Sequence, residues 1–248
     1  MRNESRTTFV TRDCPLIVED PGQPMEYTVI YFEKGGYIEL LCGSEFTIHK
    51  LLPIEAYDGP KEELPKPVSD SRRLEQWDYD IIIAGRDGKN GKNGQNGQNG
   101  GTASNGENGR SGYNGKDGQK RPDFALTIND LQMNLSLLNI GGRGGNGGKG
   151  GDGGRGGSGS SDYPGGKGGD GGNGGNGGKG GDGCNLTLSV KSSNGSAIET
   201  QSFGGEGGER GMGGLAGASG SYYSGDNGKD GQPGNDGLTG KAGSIIVK

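Results

Sequence analysis

Few side chains in this sequence could carry covalent or metal chemistry, and their spacing does not suit it. The one histidine, His49, sits in an alternating stretch, Glu45–Leu51, that reads as a strand. A Ser-His-Asp relay or a metal site needs several such groups to converge, so His49 is expected to be a half-exposed sheet residue. The three cysteines, Cys14, Cys42 and Cys184, are scattered, odd in number and lack a C-x-x-C pair. They give neither a disulfide framework nor a structural zinc site. Gly147-Gly-Lys-Gly-Gly-Asp152 matches the start of the calcium-binding nonapeptide repeat, as do residues 165–170 and 177–182. The apolar residue that repeat needs two places after the aspartate is missing at Gly154 and Gly172, only Cys184 falls there, and the spacing is not nine. G-x-G-x-x-G recurs trivially, with no Gly-Lys-Ser/Thr phosphate loop. No catalytic residue, metal or cofactor is expected.

Recognition chemistry is better supplied. Three short breaks interrupt the glycine-rich tracts: residues 101–105 (Gly-Thr-Ala-Ser-Asn), 160–164 (Ser-Ser-Asp-Tyr-Pro) and 221–224 (Ser-Tyr-Tyr-Ser). Aromatic residues among small polar ones on exposed loops combine rigid contact area with adaptable hydrogen bonding. The candidate ligand-binding residues are therefore Thr102, Ser104, Asn105, Ser160, Ser161, Asp162, Tyr163, Ser221, Tyr222 and Tyr223. The same tyrosines could instead cap the ends of the tracts, and both readings stay open.

The tracts must position these loops. Between Gly141 and Gly183 the chain repeats Gly-Gly-X out to Gly159 and back from Gly165, two legs of equal length. Before it, Gly85, Gly88, Gly91, Gly94, Gly97 and Gly100 keep a Gly-X-X phase that resumes at Gly106 and runs to Gly118. After it, Gly205–Gly220 leads out and Gly225–Gly243 leads back. Triplet glycine fits polyproline-II geometry, with three residues per turn and no internal hydrogen bonds. Each triplet position is then one face of a rod, and backbone groups need partners from water or from neighbouring rods. A Gly-X-X rod has one bare face and a Gly-Gly-X rod has two. The expectation is a three-layer polyglycine-II helix sandwich, six helices as three hairpins, with 141–183 in the middle and its charged third residues at the exposed edges. Alanine at Gly150 or Gly151 should then be severe, and changes at Lys149 or Asp152 mild.

Composition agrees with the absence of an ordinary core. The chain has 248 residues, 60 glycines, 26% hydrophobic residues and a net charge of −5; the apolar share is about half the globular norm. A generic glycine-rich tract would be a flexible linker, but strict phase over six matched legs argues against that. Mild acidity with interleaved lysine and aspartate argues against a nucleic-acid surface. No run reaches the roughly 18 apolar residues of a membrane span, and Met1–Arg6 leads into no apolar stretch, so no signal peptide is expected.

Outside the tracts the sequence reads as β. Tyr27–Glu33 and Tyr37–Cys42, joined through Lys34-Gly-Gly36, read as a hairpin, followed by a strand at Glu45–Leu51. Residues 53–76 carry four prolines and read as a connector with at most a short helix at Ser71–Gln76. Trp77–Ala84 reads as a strand. Phe124–Ile128 with Leu131–Ile140, and Asn185–Val190 with Ala197–Phe203, read as further hairpins, and the chain ends in Ser244–Lys248. The expected fold class is mainly β and irregular: a small β-rich N-terminal domain with its connector over 1–76, then a glycine bundle with interleaved β-hairpins over 77–248. Strands would form a base, and the three turns would meet at the far end. A collagen-like triple helix is the rival, but Pro233 is the only proline inside the triplets and the turns interrupt them at matched distances.

This pattern over residues 85–243 resembles the tip adhesins of T-even-type phage long tail fibres. That resemblance implies a polyglycine-II sandwich, an N-terminal domain that attaches to the fibre, and distal loops that choose a bacterial surface receptor. The springtail antifreeze proteins share the Gly-X-X bundle, but Arg, Lys, Asp and Gln at the X positions are unlike the small, flat faces ice binding wants. The implied function is a non-catalytic receptor-binding protein on a virion or cell exterior. Its partners would be a protein or glycan receptor at the tips and a larger assembly at residues 1–76, with neither nucleic acid nor membrane insertion. The other class is a structural protein, a fibre, coat or spacer subunit, whose tips are caps. An enzyme would need a pocket of convergent polar groups, and only residues 1–80 could hide one.

Overall fold

The computed structural model describes residues 6–19, 25–60, 79–222 and 225–248. Eleven strands form: β1 (Thr7–Val10), β2 (Leu16–Val18), β3 (Glu26–Phe32), β4 (Ile38–Leu40), β5 (Glu45–Pro53), β6 (Ile81–Ala84), β7 (Phe124–Leu131), β8 (Leu135–Ile140), β9 (Leu186–Val190), β10 (Ile198–Phe203) and β11 (Ile245–Val247). Each is rich in the β-branched and large apolar residues that suit a pleated, half-buried surface. Odd-numbered strands make one sheet in the order β1-β3-β5-β7-β9-β11, and even-numbered strands make the other, β10-β8-β6-β4-β2. Every strand pairing in both sheets is parallel.

The chain therefore coils, one strand in each sheet per turn. Alternation in the strands sends one side chain set inward, where Ile30, Phe32, Ile48, Leu51, Leu126 and Ile128 of the odd strands join Ile38, Leu40, Ile81, Ile83 and Leu137 of the even ones in a single apolar core. The turns at Gly35 (φ 89°) and Gly195 (φ 85°) need the left-handed backbone glycine allows. They carry the chain across to the opposite sheet, not back alongside the strand just left.

This overturns the expected fold class. The described residues contain no helix beyond a single 3-10 turn at Ile54–Ala56, and their regular structure is two parallel sheets of six and five strands. It is not a small β-domain followed by a polyglycine-II helix sandwich, although the mainly β part of the expectation agrees. The three hairpins read from the sequence do not form either: β3 and β4, β7 and β8, and β9 and β10 fall in opposite sheets. Both sheets run through the 76/77 division, since β4 pairs with β6 and β5 with β7. The expected helix at Ser71–Gln76 and the first residues of the Trp77–Ala84 strand lie outside the described residues.

The glycine tracts prolong the two sheets. Each is inserted at the same side of the coil: residues 85–123 join β6 to β7, 141–185 join β8 to β9, and 204–244 join β10 to β11. The legs leaving β6, β8 and β10 stack in one row, and the legs entering β7, β9 and β11 stack in a second. Pairing register passes unbroken from sheet to leg. Ile81 faces Leu137 across β6 and β8, and the same offset of 56 residues holds from Asp87 with Arg143 to Asn99 with Arg155. Offsets of 63, 62 and 59 residues likewise continue the pairs β8–β10, β7–β9 and β9–β11 into their legs.

Candidate functional site

Hydrogen bonds every third residue hold the legs together and so place the loops at their ends. The N–H groups of Gly88, Gly91, Gly94 and Gly97 donate to the carbonyls of Arg143, Asn146, Lys149 and Asp152 at 2.7–2.8 Å. Gly144, Gly147, Gly150 and Gly153 donate in turn to Glu206, Glu209, Met212 and Leu215 at 2.8–2.9 Å. In the second row Gly109, Gly112 and Gly115 donate to Asp170, Asn173 and Asn176, each at 2.8 Å. Bonds between the rows, such as Gly151 to Arg110 and Gly172 to Gly151, both 2.8 Å, close the lattice. A Cβ at any of these glycines would lie about 2 Å from a neighbouring carbonyl oxygen, for example 1.9 Å at Gly150.

The triplets carry a second device that the sequence reading missed. Asparagine or aspartate at the third position accepts the N–H of the residue after the glycine on the next leg. Asn90, Asn93, Asn96 and Asn99 take the N–H groups of Asn146, Lys149, Asp152 and Arg155 at 2.8–2.9 Å. Asn146 and Asp152 pass the pattern on to Glu209 and Leu215, and Asn105, Asn108, Asn114 and Asp117 do the same in the other row. The signal was visible as Gly-Lys-Asn, Gly-Gln-Asn and Gly-Lys-Asp repeats, which load the third position with side chains that mimic a backbone carbonyl. The Leu215 N–H bond, followed by Lys149, holds the Asp152 carboxyl below its usual range, and the Lys241 N–H does so for Asp182.

At the distal end the three tips meet. Ala103 donates to the Ser158 carbonyl at 2.9 Å, Gly159 to the Ser221 carbonyl at 2.9 Å and Gly165 to the Tyr222 carbonyl at 2.7 Å, while the Ser158 and Ser221 hydroxyls lie 3.0 Å apart. Thr102, Ser104, Asn105, Ser161, Asp162, Tyr163, Ser221 and Tyr222 are exposed, and Ser160 is half-buried. Tyr163 and Tyr222 each leave more than 60% of their surface free. Ala103 (φ 53°) and Tyr222 (φ 65°) take the left-handed backbone that non-glycine residues rarely adopt. Some candidates are already engaged: the Asn105 side chain accepts the Lys167 N–H, and the Ser104 carbonyl accepts that of Gly157, at 2.8 and 2.9 Å. Tyr223 lies outside the described residues.

Away from the tips, His49 on β5 lies between Glu26 Oε1 and Asn129 Nδ2, 2.7 Å from each. Because the Asn129 amide donates to Nδ1, the ring donates from Nε2 to the carboxylate. Among the described residues no group of His, Cys, Asp and Glu could hold a metal ion. Burial raises the Cys184 thiol above its usual value, so its reactive thiolate is disfavoured. Arg121, at the root of the first tract, is only 5% exposed. Its guanidinium donates to the carbonyls of Leu40, Cys42 and Gly43 and lies 4.9 Å over the Phe124 ring.

No family model matches the chain, and no curated protein matches it. Among solved structures it is similar to a springtail antifreeze protein from Granisotoma rainieri, described as a bundle of nine polyproline type II helices whose crystal waters match the ice lattice. The likeness is 31% identity over 60% of this chain and 92% of that one, with a TM-score of 0.16. At that TM-score it carries no argument about fold or function.

Proposed function

We propose that this chain is a non-catalytic receptor-binding protein whose three glycine-tract tips together contact a cell-surface receptor, either a protein loop or a glycan. The observation that carries this reading is the gathering of residues 101–105, 160–164 and 221–222 at one end, with Tyr163 and Tyr222 exposed and the loops cross-bonded. A rigid platform with exposed tyrosine, serine and aspartate offers contact area at low ordering cost. Residues 1–76 would attach it to a larger fibre or virion, as in the tip adhesins it resembles, and the setting would be extracellular. The test is adsorption of fluorescently labelled protein to a panel of bacterial cells. Saturable binding lost in a folded Tyr163→Ala/Tyr222→Ala/Tyr223→Ala variant is the expected result. Binding indifferent to that variant, or none on any cell, would overturn it.

A structural role is the second reading, and one observation favours it. The last turn of the coil leaves Phe203, Met212, Leu215, Leu238, Ile246 and Val247 45–74% exposed, beside the unpaired edges of β10 and β11. Such a surface suits stacking on another subunit. Light scattering that rises with concentration and ends in polymers would favour this reading over the first.

A further inference from the structure

We propose that the outer face of the first glycine tract is a second binding surface, separate from the tips, for an acidic polysaccharide. In the tract 85–118 the glycines point into the lattice, and third-position residues such as Asn90, Asn93 and Asn108 reach the next tract. The remaining position gives no side-chain hydrogen bond to the next tract among the described residues; its one side-chain bond, from the Gln98 N–H to the Glu107 carboxylate at 3.4 Å, stays within the first tract. On the two legs this position is filled by Arg86, Lys89, Lys92, Gln95 and Gln98, and by Glu107, Arg110, Tyr113, Lys116 and Gln119, all exposed. Five of the ten are cations and one is an anion. None of the five cations has an ion-pair partner among the described residues, whereas Arg143, Lys149, Lys167 and Lys179 on other faces do.

A cleft at the foot of this face adds an independent observation. It encloses about 490 Å³ between the turn 41–44 and the root of the tract, and Ser44, Arg86, Gln119, Lys120 and Arg121 line it. Arg121 is 95% buried by its 5% exposure, and its Nε has no hydrogen-bond partner. Its other donors meet neutral carbonyls, so its charge is unpaired by any carboxylate among the described residues. Arg86, a second cation, lines the same cleft. A buried cation without a counter-ion is costly, and a carboxylate or other anionic group entering the cleft would supply one.

The rest of the face fits a sugar chain better than a nucleic acid. Gln95, Gln98 and Gln119 match hydroxyl groups, each amide both donating and accepting. Tyr113, 67% exposed, is the only aromatic side chain on the face, whereas single-stranded nucleic acids are held on successive stacking platforms.

The test is affinity electrophoresis of the full chain through gels containing polygalacturonate, with neutral dextran and an oligo-dT probe as comparisons. Wild type should be retarded by polygalacturonate and not by dextran. The Lys89→Gln/Lys92→Gln/Lys116→Gln variant removes charge only from exposed side chains and should weaken binding about tenfold at low salt, the sum expected of three exposed charge contacts. Lys167→Gln/Lys179→Gln/Lys229→Gln removes equal charge from other faces and should leave retardation unchanged, as should Tyr163→Ala, which separates this surface from the tips. Absence of wild-type retardation overturns the proposal, and so does equal loss in both triple variants. Tighter oligo-dT binding through the same lysines overturns it in favour of a nucleic-acid partner.

Discussion

Replacing Gly150 by alanine is the sharpest test of how the legs are held. Its Cβ would stand 1.9 Å from the Gly172 carbonyl oxygen and 2.5 Å from the carbon, where ordinary contact begins near 3.4 Å. Both partners are backbone, so the legs must part by about 1.5 Å to restore normal contact. That separation acts on three bonds: Gly172 N–H to Gly151 at 2.8 Å, Gly150 N–H to Met212 at 2.9 Å, and Gly214 N–H to Gly172 at 2.8 Å. Stretched by that amount they leave hydrogen-bonding range, at a cost of about 1 kcal/mol each. The lower unfolded-state entropy of alanine returns about 0.5–1 kcal/mol. A net loss of about 2 kcal/mol should lower Tm by roughly 4–8 °C in scanning calorimetry. Two controls isolate the cause. Gly101→Ala meets no atom within 4 Å and sits at no left-handed φ, so its Tm should hold or rise slightly. Lys149→Ala gives up only the exposed 3.1 Å pair with Asp152, and should stay within about 2 °C of wild type. If Gly150→Ala melts with these two controls, close backbone approach is not what holds the legs together. Asp152, by contrast, is no longer a neutral site, because its carboxylate takes the Leu215 N–H at 2.9 Å.

Three further outcomes follow from the same bonds. Asn93→Ala removes the acceptor 2.9 Å from the Lys149 N–H; amide exchange at Lys149 should quicken, at a stability cost of about 0.5–1 kcal/mol, and unchanged exchange would mean the side-chain ladder is idle. Arg121→Met strands the carbonyls of Leu40, Cys42 and Gly43, and urea denaturation should show a loss of about 2–4 kcal/mol; a neutral result would mean water satisfies that turn. The carboxyls of Asp123, Asp152 and Asp182 are lowered chiefly by the bonds they accept from Asn185, Leu215 and Lys241. Their stabilising contribution is complete above the unfolded value of about 3.9 and is lost as pH falls through the lower folded values. Tm should therefore be level from about pH 7 to 5 and decline below about pH 4, a decline made shallower by Asp152→Asn with Asp182→Asn; a Tm indifferent to acid would remove these bonds from the account.

The glycine phase and the three turns were plain in the sequence, and so were nine of the eleven strands as separate stretches; β1 and β2, in the polar, proline-bearing start of the chain, were not among them. The pairing of the strands was not plain, for a physical reason. Alternation tells which face of a strand is buried and says nothing about which strand lies beside it. Lys34-Gly-Gly36 and Ser192-Ser-Asn-Gly195 carry turn residues, and a tight turn serves equally to reverse along a sheet or to cross to an opposing one. Two signals pointed to the second. Ile81-Ile82-Ile83 is buried throughout, the continuous apolar run that parallel strands show. Parallel neighbours also need long connections, and the glycine tracts are connections of that kind between strands of opposite sheets. The ladder of asparagine and aspartate was legible in principle, since it recurs at one triplet position, but its partners on the next tract are 56–63 residues away, where no local pattern reaches, and only within the last tract do they come as near as 8–26 residues.

The unbroken register explains how so glycine-rich a segment can be ordered at all. Fixing each glycine costs more backbone entropy than any other residue, and an isolated leg has no internal bond to offset it. Here each leg starts from a strand already aligned with its neighbours: Gly85 donates to the Ile140 carbonyl at 2.8 Å one residue beyond the Ala84–Ile140 pair, and the next glycine bond, Gly88 to Arg143, repeats the step at 2.7 Å. Loop closure has been met by the sheets before the first triplet bonds, so each further triplet adds its bonds at the cost of ordering three residues alone. Order then propagates outward from the apolar core, and the middle tract, which bonds to both others, cannot be removed without stranding them. The tips inherit their positions from sheet register laid down at the other end of the legs. The Asn105 and Ser221 side chains take part in the lattice, whereas the side-chain bonds at Ser161 and Asp162 stay within their own loop, so the lattice does not fix their identities.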